Sequence, residues 1–165
     1  MKTIVTYMTV SGQTKKVAEA IFEVVEGDKE IQPVSEVNGL EGYDLAFVGS
    51  PMHRFGLHEK VGEFIEKNGK GKNIALFVTH SMPEGGDPLQ EWLDNCKNAA
   101  AGTNLVGFFN CQGEMSKELA DLMVNSGDPQ AAAWGEAREK TLGQPDATRL
   151  ERARAFAREV MSKMS

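Results

Sequence analysis

Four strongly apolar runs set the tightest limit on what this chain folds into: residues 3–8, 44–49, 73–79 and 104–110. Polarity does not alternate within them. A strand with one wet face alternates, so these runs read as strands covered on both faces, as in a parallel sheet. A fifth stretch, Glu30-Ile31-Gln32-Pro33-Val34, is weaker. Pro33 removes a ladder donor, which assigns the segment to a sheet edge if it pairs at all.

Amphipathic helices fill the gaps. Thr14, Val17, Ala18, Ile21, Phe22 and Val25 follow the i, i+3, i+4, i+7 pattern, and Val61, Phe64 and Ile65 give a shorter stripe. Leu89, Trp92, Leu93 and Cys96 make a third, with Asp87 and Pro88 expected as its N-cap and first helical residue. Leu150, Ala153, Ala157, Val160 and Met164 make the last. Strands alternating with helices imply right-handed crossovers and a three-layer α/β sandwich. With no linker or internal repeat, the reading is one domain over residues 1–165. An inserted segment at about 111–145 precedes the last helix, with short helices expected around Leu119, Leu122 and Met123 and around Trp134.

The chain of 165 residues is long enough to bury most of its apolar surface. Its 41% hydrophobic and 25% charged residues are those of a globular protein, not of a disordered one. No apolar run approaches the roughly 20 residues that span a bilayer. The N-terminus leads directly into a strand without a leader-like stretch, so a cytoplasmic location is expected. Residues 146–165 hold five basic against three acidic side chains, a balance of +2 that leaves −8 on the other 145. An acidic body argues against nucleic-acid binding, which needs a basic face. It suits steering toward a basic protein partner. Cys96 and Cys111 form no CxxC and read as reduced, mostly buried thiols; a redox role for Cys111 would need a low thiol pKa.

The loop after the first run, Thr9-Val10-Ser11-Gly12-Gln13-Thr14, carries more hydrogen-bonding groups than a chain reversal needs. In a doubly wound sheet, ligands bind beyond the carboxyl ends of the strands, where strand order reverses. A helix starting near Gln13 would aim free N–H groups and its positive dipole end at this loop, making an anion site. Thr9, Ser11 and Thr14 add hydroxyls, and Gly12 lets the backbone approach closely. The combination fits a terminal phosphate monoester. There is no GxxxxGK[ST] and no GxGxxG, so the sequence carries neither a P-loop nor a dinucleotide fingerprint. Tyr7, Met8 and Ser50 occupy positions where a phospho-receiver domain needs acidic residues, and no cysteine sits in the loop for a thiol phosphatase.

Thr9-Val-Ser-Gly-Gln-Thr14 resembles the T-x-T-G-x-T phosphate loop of flavodoxins, and Tyr43 to Gly56 (YDLAFVGSPMHRFG) resembles that family's third strand and flavin-contacting loop. The resemblance implies a five-stranded parallel sheet of order 2-1-3-4-5, with FMN at the strand ends. It implies that Thr9, Ser11, Gly12, Gln13 and Thr14 hold the phosphate, and that Ser50, Pro51, Met52 and His53 run along the isoalloxazine. Phe55 is the aromatic available near the ring, and Thr79, His80 and Ser81 take its pyrimidine side. Two features depart from the family pattern: these loops lack the usual flanking Trp and Tyr, and the 111–145 insert is absent from its shortest members. His53, His58 and His80 all fall in loops bordering the flavin, where a histidine would deliver a proton or stabilise an anionic ring. The expected function is an FMN-binding carrier shuttling electrons between redox partner proteins. The alternative is an FMN-dependent NAD(P)H oxidoreductase acting on a small organic acceptor, and a third reading is an association domain that has lost its flavin.

Overall fold

The computed structural model describes residues 1–165. Strand β1 (Lys2–Tyr7) pairs in parallel with both β2 (Asp28–Pro33) and β3 (Leu45–His53). The sheet continues through β5 (Asn73–His80) to β6 (Asn104–Gln112), in the order β2-β1-β3-β5-β6. A two-residue strand, β4 (Gly56–Leu57), adds an antiparallel hairpin to the end of β3. Counting only the five parallel strands, the order is the 2-1-3-4-5 expected from the sequence. The chain winds one way from β1 to β2 and the other way from β3 onward. The reversal opens a crevice beyond the carboxyl ends of β1 and β3.

Helices α1 (Gln13–Val24) and α6 (Ala147–Met164) cover one face of the sheet; α2 (Glu59–Asn68) and α3 (Asp87–Ala99) cover the other. Val17, Ala18 and Ile21 of α1 meet Phe47, Phe77 and the Ala153-Ala157-Val160 stripe of α6. On the opposite face, Val61, Phe64 and Ile65 of α2 and Cys96 of α3 pack on Ile4, Val48, Leu76 and Val78. Phe47 and Phe77 are fully buried, and removing each ring from water stabilises the fold by about 1.5–3 kcal/mol. Gly107 lets α6 lie against β6: a Cβ there would stand 2.7 Å from Val160 and 2.9 Å from Phe156.

Several boundaries differ from the sequence reading. β2 begins at Asp28, two residues before the apolar stretch, because its charged residues sit at an edge where Lys2 pairs with Glu30 at 3.1 Å. Pro33 lies at its end, opposite Tyr7. β3 runs four residues past Gly49, so Ser50 to His53 are strand, not loop. The N-cap of α3 is Gly86, which makes Asp87 the first helical residue instead of the cap. β6 takes the first two residues of the expected insert. The remainder folds as α4 (Lys117–Val124) and α5 (Pro129–Glu136), followed by a 3₁₀ turn at Ala137–Thr141. Its ends are tied together at Met115, whose N–H donates to Thr141 Oγ1 (2.9 Å) and whose C=O accepts from Arg138 Nε (2.9 Å). No helix is long and apolar enough to cross a membrane.

Candidate functional site

Between Tyr7 and Gln13 the chain makes a tight loop held from within. Met8 N–H donates to Gly49 O (3.0 Å), and Thr9 Oγ1 accepts from Gly12 N–H (3.0 Å). Gly12 sits at φ 94°, a left-handed conformation disfavoured for residues with a Cβ, and serves as the N-cap of α1. No side chain caps α1, and its first turn holds no acidic residue. Each other helix has one or the other: His58 caps α2, Ser116 α4, Asp128 α5 and Asp146 α6, while α3 opens with Asp87. The leading N–H groups and positive dipole end of α1 are therefore open to an anion.

Ser11 and Gln13, hydrogen-bonded to each other, line a cleft above this loop with the exposed Val10. Thr14 stands behind them, buried, with its Oγ1 2.8 Å from Thr79 Oγ1. Thr9 and Gly12 shape the loop and do not line the cleft itself.

The end of β3 supplies a second wall. Pro51, Met52 and His53 line the cleft as strand residues. Ser50 does not. It is fully buried, its Oγ accepting from His58 N–H (2.9 Å) and donating to Pro51 O (2.8 Å), so it fastens the segment before α2 to the strand. Arg54 (φ 47°) and Phe55 (φ 66°) then make a turn in a region that non-glycine residues rarely adopt. Asn95 of α3 holds it by donating from Nδ2 to Phe55 O at 2.9 Å. The Phe55 ring lies outside the cleft, 58% exposed, 4.9 Å from Trp92, which meets Trp134 of α5 edge-on at 5.7 Å. This line of aromatics ties the β3–β4 turn to the insert.

Thr79, His80 and Ser81 close the third side. His80 is buried, with Nε2 3.0 Å from Asn110 Oδ1 and no hydrogen-bond partner for Nδ1. Burial pushes its pKa below the ordinary imidazole value, against the opposing bond to Asn110. The loop after Ser81 is held by Glu84, which accepts from Gln112 N–H (3.1 Å), Arg149 Nε (3.0 Å) and Arg152 Nη1 (3.0 Å). Burial alone would raise the Glu84 carboxyl, but these three donors hold it below its usual value.

The fourth wall comes from the inserted segment, in which the sequence reading named no site residue. Glu114, Met115, Ser116 and Leu119 of the insert line the cleft together with the end of β3. Gly113 leads into them so closely that a Cβ would stand 3.0 Å from the Gln13 side chain, and its N–H donates to His80 O (2.6 Å). The sequence signal was the polar, glycine-bearing Gln112-Gly113-Glu114 at the carboxyl end of the last strand, the third place where a doubly wound sheet meets its ligand. Cys111 is fully buried, and burial, with a further push from Glu84, raises its thiol to about 12. Such a thiol is inert, so a redox role for it does not stand.

Comparison with known proteins points the same way. The Flavodoxin domain model matches residues 4–158. The flavodoxin-like domain-containing protein BilS of Clostridioides difficile (strain CD3) is 27% identical over 175 residues, covering all of this chain and 99% of the relative. Flavodoxin 2 from Bacillus cereus superposes with a TM-score of 0.63 at 16% identity, covering 99% of both chains. A flavoprotein from Lactobacillus acidophilus NCFM, determined in complex with FMN, gives 0.52 at 19% identity, covering 66% of this chain and 92% of that one. A doubly wound sheet of this strand order and a match over nearly its whole length place this chain in the flavodoxin domain family.

Proposed function

We propose that this protein binds FMN in the cleft and carries electrons between redox partner proteins. The observation that carries this reading is the start of α1, which alone among the six helices has neither a side-chain cap nor a leading acid, and whose flanking Ser11 and first residue Gln13 line the cleft. The residues fit the group. The helix N-terminus with Ser11 and Gln13 suits a phosphate, and Met52, Met115 and Leu119 offer apolar surface to a flat ring.

In this arrangement Thr9 and Gly12 set the loop, and Thr14 fixes α1 against β5 through Thr79. Pro51, Met52 and His53 lie along the ring, and Thr79, His80 and Ser81 border its pyrimidine side. Bound FMN supplies the redox chemistry by accepting one or two electrons; the protein supplies orientation, shielding and electrostatics. The acidic body steers a partner with a basic docking surface. A second reading, an FMN-dependent NAD(P)H oxidoreductase, draws support from the insert wall. Met115, Ser116 and Leu119 stand where a small acceptor would be enclosed beside the ring.

The test is FMN titration followed by stepwise photoreduction and mixing with NAD(P)H. Tight binding, a separate one-electron step in the visible spectrum and slow reduction by NAD(P)H are the outcome for a carrier. Fast direct reduction by NAD(P)H without the one-electron step moves the assignment to the oxidoreductase. Absence of FMN binding removes both.

A further inference from the structure

His53 and His58 both line the cleft, and their ring centroids are 4.9 Å apart with planes inclined at 34°. Two imidazoles this close do not play equal parts, because only one is free to accept a second proton. His58 is the N-cap of α2, and its Nδ1 accepts the backbone N–H of Lys60 at 3.2 Å. An amide N–H only donates, so the lone pair of His58 Nδ1 is committed and its proton sits on Nε2. Protonating Nδ1 breaks that cap. It also places an imidazolium at the positive end of the α2 dipole, where cations are disfavoured. His53 is under neither constraint. It ends β3 on the exposed side of the cleft, and no hydrogen bond holds its ring.

We infer that His53 is the residue that exchanges protons with a ligand in this cleft, while the capping bond disfavours protonation of His58 and leaves it a neutral imidazole with a fixed Nε2–H donor. The inference deepens the FMN reading and rests on it for the identity of the ligand. In that role the His53 ring would give up an N–H proton to the bound group as that group takes up an electron, and would regain a proton from the water to which it is exposed. His58 keeps its proton throughout and contributes direction only.

The charged and titratable groups around the pair are few. Arg54 follows His53 in the turn, Glu59 and Lys60 open α2, Glu114 lies across the cleft on the insert, and His80 ends β5. Burial, and after it the neighbouring His53, holds His58 below the ordinary imidazole value; Glu59 opposes this and Lys60 adds to it. These directions agree with the capping geometry, which stands without them.

Long-range ¹H–¹⁵N NMR of the imidazoles between pH 4.5 and 9, on the full chain before FMN is added, tests the assignment directly. His53→Gln and His58→Asn identify the signals, and Asn is chosen because it also caps helices. The expected result is an Nε2–H tautomer for His58 that persists to lower pH than the neutral form of His53. An Nδ1–H tautomer for His58, or uptake of a proton by His58 before His53, overturns the inference even if FMN binds well. The second measurement is the midpoint potential of bound FMN against pH. His53→Gln should remove or shift its inflection, and His58→Asn should leave the inflection in place; the reverse pattern overturns the inference. Failure of FMN to bind would sink the function proposed above and leave the tautomer result standing, so the two failures are distinct.

Discussion

The hydroxyl oxygens of Thr14 and Thr79 lie 2.8 Å apart, both side chains buried, and join the first turn of α1 to the penultimate residue of β5. One residue follows the loop open to an anion, and the other opens the third wall of the cleft. Their bond therefore sets the distance between the two ends of the site.

Replacing Thr79 by Val keeps the shape and deletes the partner, leaving the buried Thr14 hydroxyl unsatisfied. The expected loss is about 1–3 kcal/mol of stability, measured by urea unfolding, together with at least about tenfold weaker FMN binding. Thr79→Ser should recover most of both. Equal loss in the Ser variant would mean that the methyl group matters, not the hydroxyl.

Gly12→Ala isolates the loop conformation. No atom lies within 4 Å of where its Cβ would go, so the penalty is conformational, about 1–2 kcal/mol for holding a left-handed residue. A thermal melt should show that loss, with FMN affinity falling as the loop relaxes. An unchanged melt would mean that the loop tolerates another backbone path.

The lowered pKa values of His80 and His58 give a signed pH dependence. Each binds its proton in the unfolded chain near pH 6.5 and only at lower pH when folded. The unfolded state then holds more protons, so stability rises with pH in this window and falls as pH drops below about 6.5. The slope is at most about 1.4 kcal/mol per pH unit for the buried His80 and smaller for His58, whose charge solvent screens. Denaturation between pH 7.5 and 5 should show it, and His80→Gln should flatten the curve. Glu84 acts lower down: held below its usual value, it stabilises the fold above about pH 4.5 and loses that contribution as pH falls further. A flat profile from pH 7.5 to 5 would contradict the burial of His80.

Both thiols should be inert in the native protein. Burial raises Cys96 as well as Cys111 to about 12, which leaves almost no thiolate at neutral pH. A disulfide exchange reagent should label neither until denaturant is added, when both react. Fast labelling of one thiol at pH 8 would reveal an opening at the end of β6 or along α3.

Gly135 allows α5 to approach α4: a Cβ there would stand 2.6 Å from Ala120 O and 2.9 Å from Val124. Gly135→Ala should push the two insert helices apart while leaving the sheet intact. Hydrogen exchange would rise across 114–141 and stay unchanged in β1, β3 and β5. A uniform rise would show that the insert and the sheet unfold together.

The sequence by itself determined the buried parallel strands, the helices between them and the start of α1, while the strand order was implied by the resemblance of two segments to flavodoxins. The first three follow from local pattern: unbroken apolar runs mean two covered faces, helical stripes lie between them, and a hydroxyl-rich loop with one glycine precedes a helix. The edge position of β2 was legible through Pro33, although its charged opening residues concealed two positions of the strand. Which side chains face the cleft was decided by tertiary structure. Ser11 faces it while Thr14 is buried against Thr79, 65 positions away; Ser50 turns inward to His58; Phe55 leaves the cleft for Trp92. The wall formed by Met115, Ser116 and Leu119, and the hold of Glu84 on Arg149 and Arg152, likewise join segments distant in the chain. The capping of α2 by the His58 ring, which separates two otherwise similar histidines, exists only as geometry. Periodicity reports which face of an element is covered, because burial is set locally by the 2.0 and 3.6 residue repeats. Contacts across the cleft depend on how far each strand extends and where each turn releases the chain, and those are fixed only when all the elements pack together.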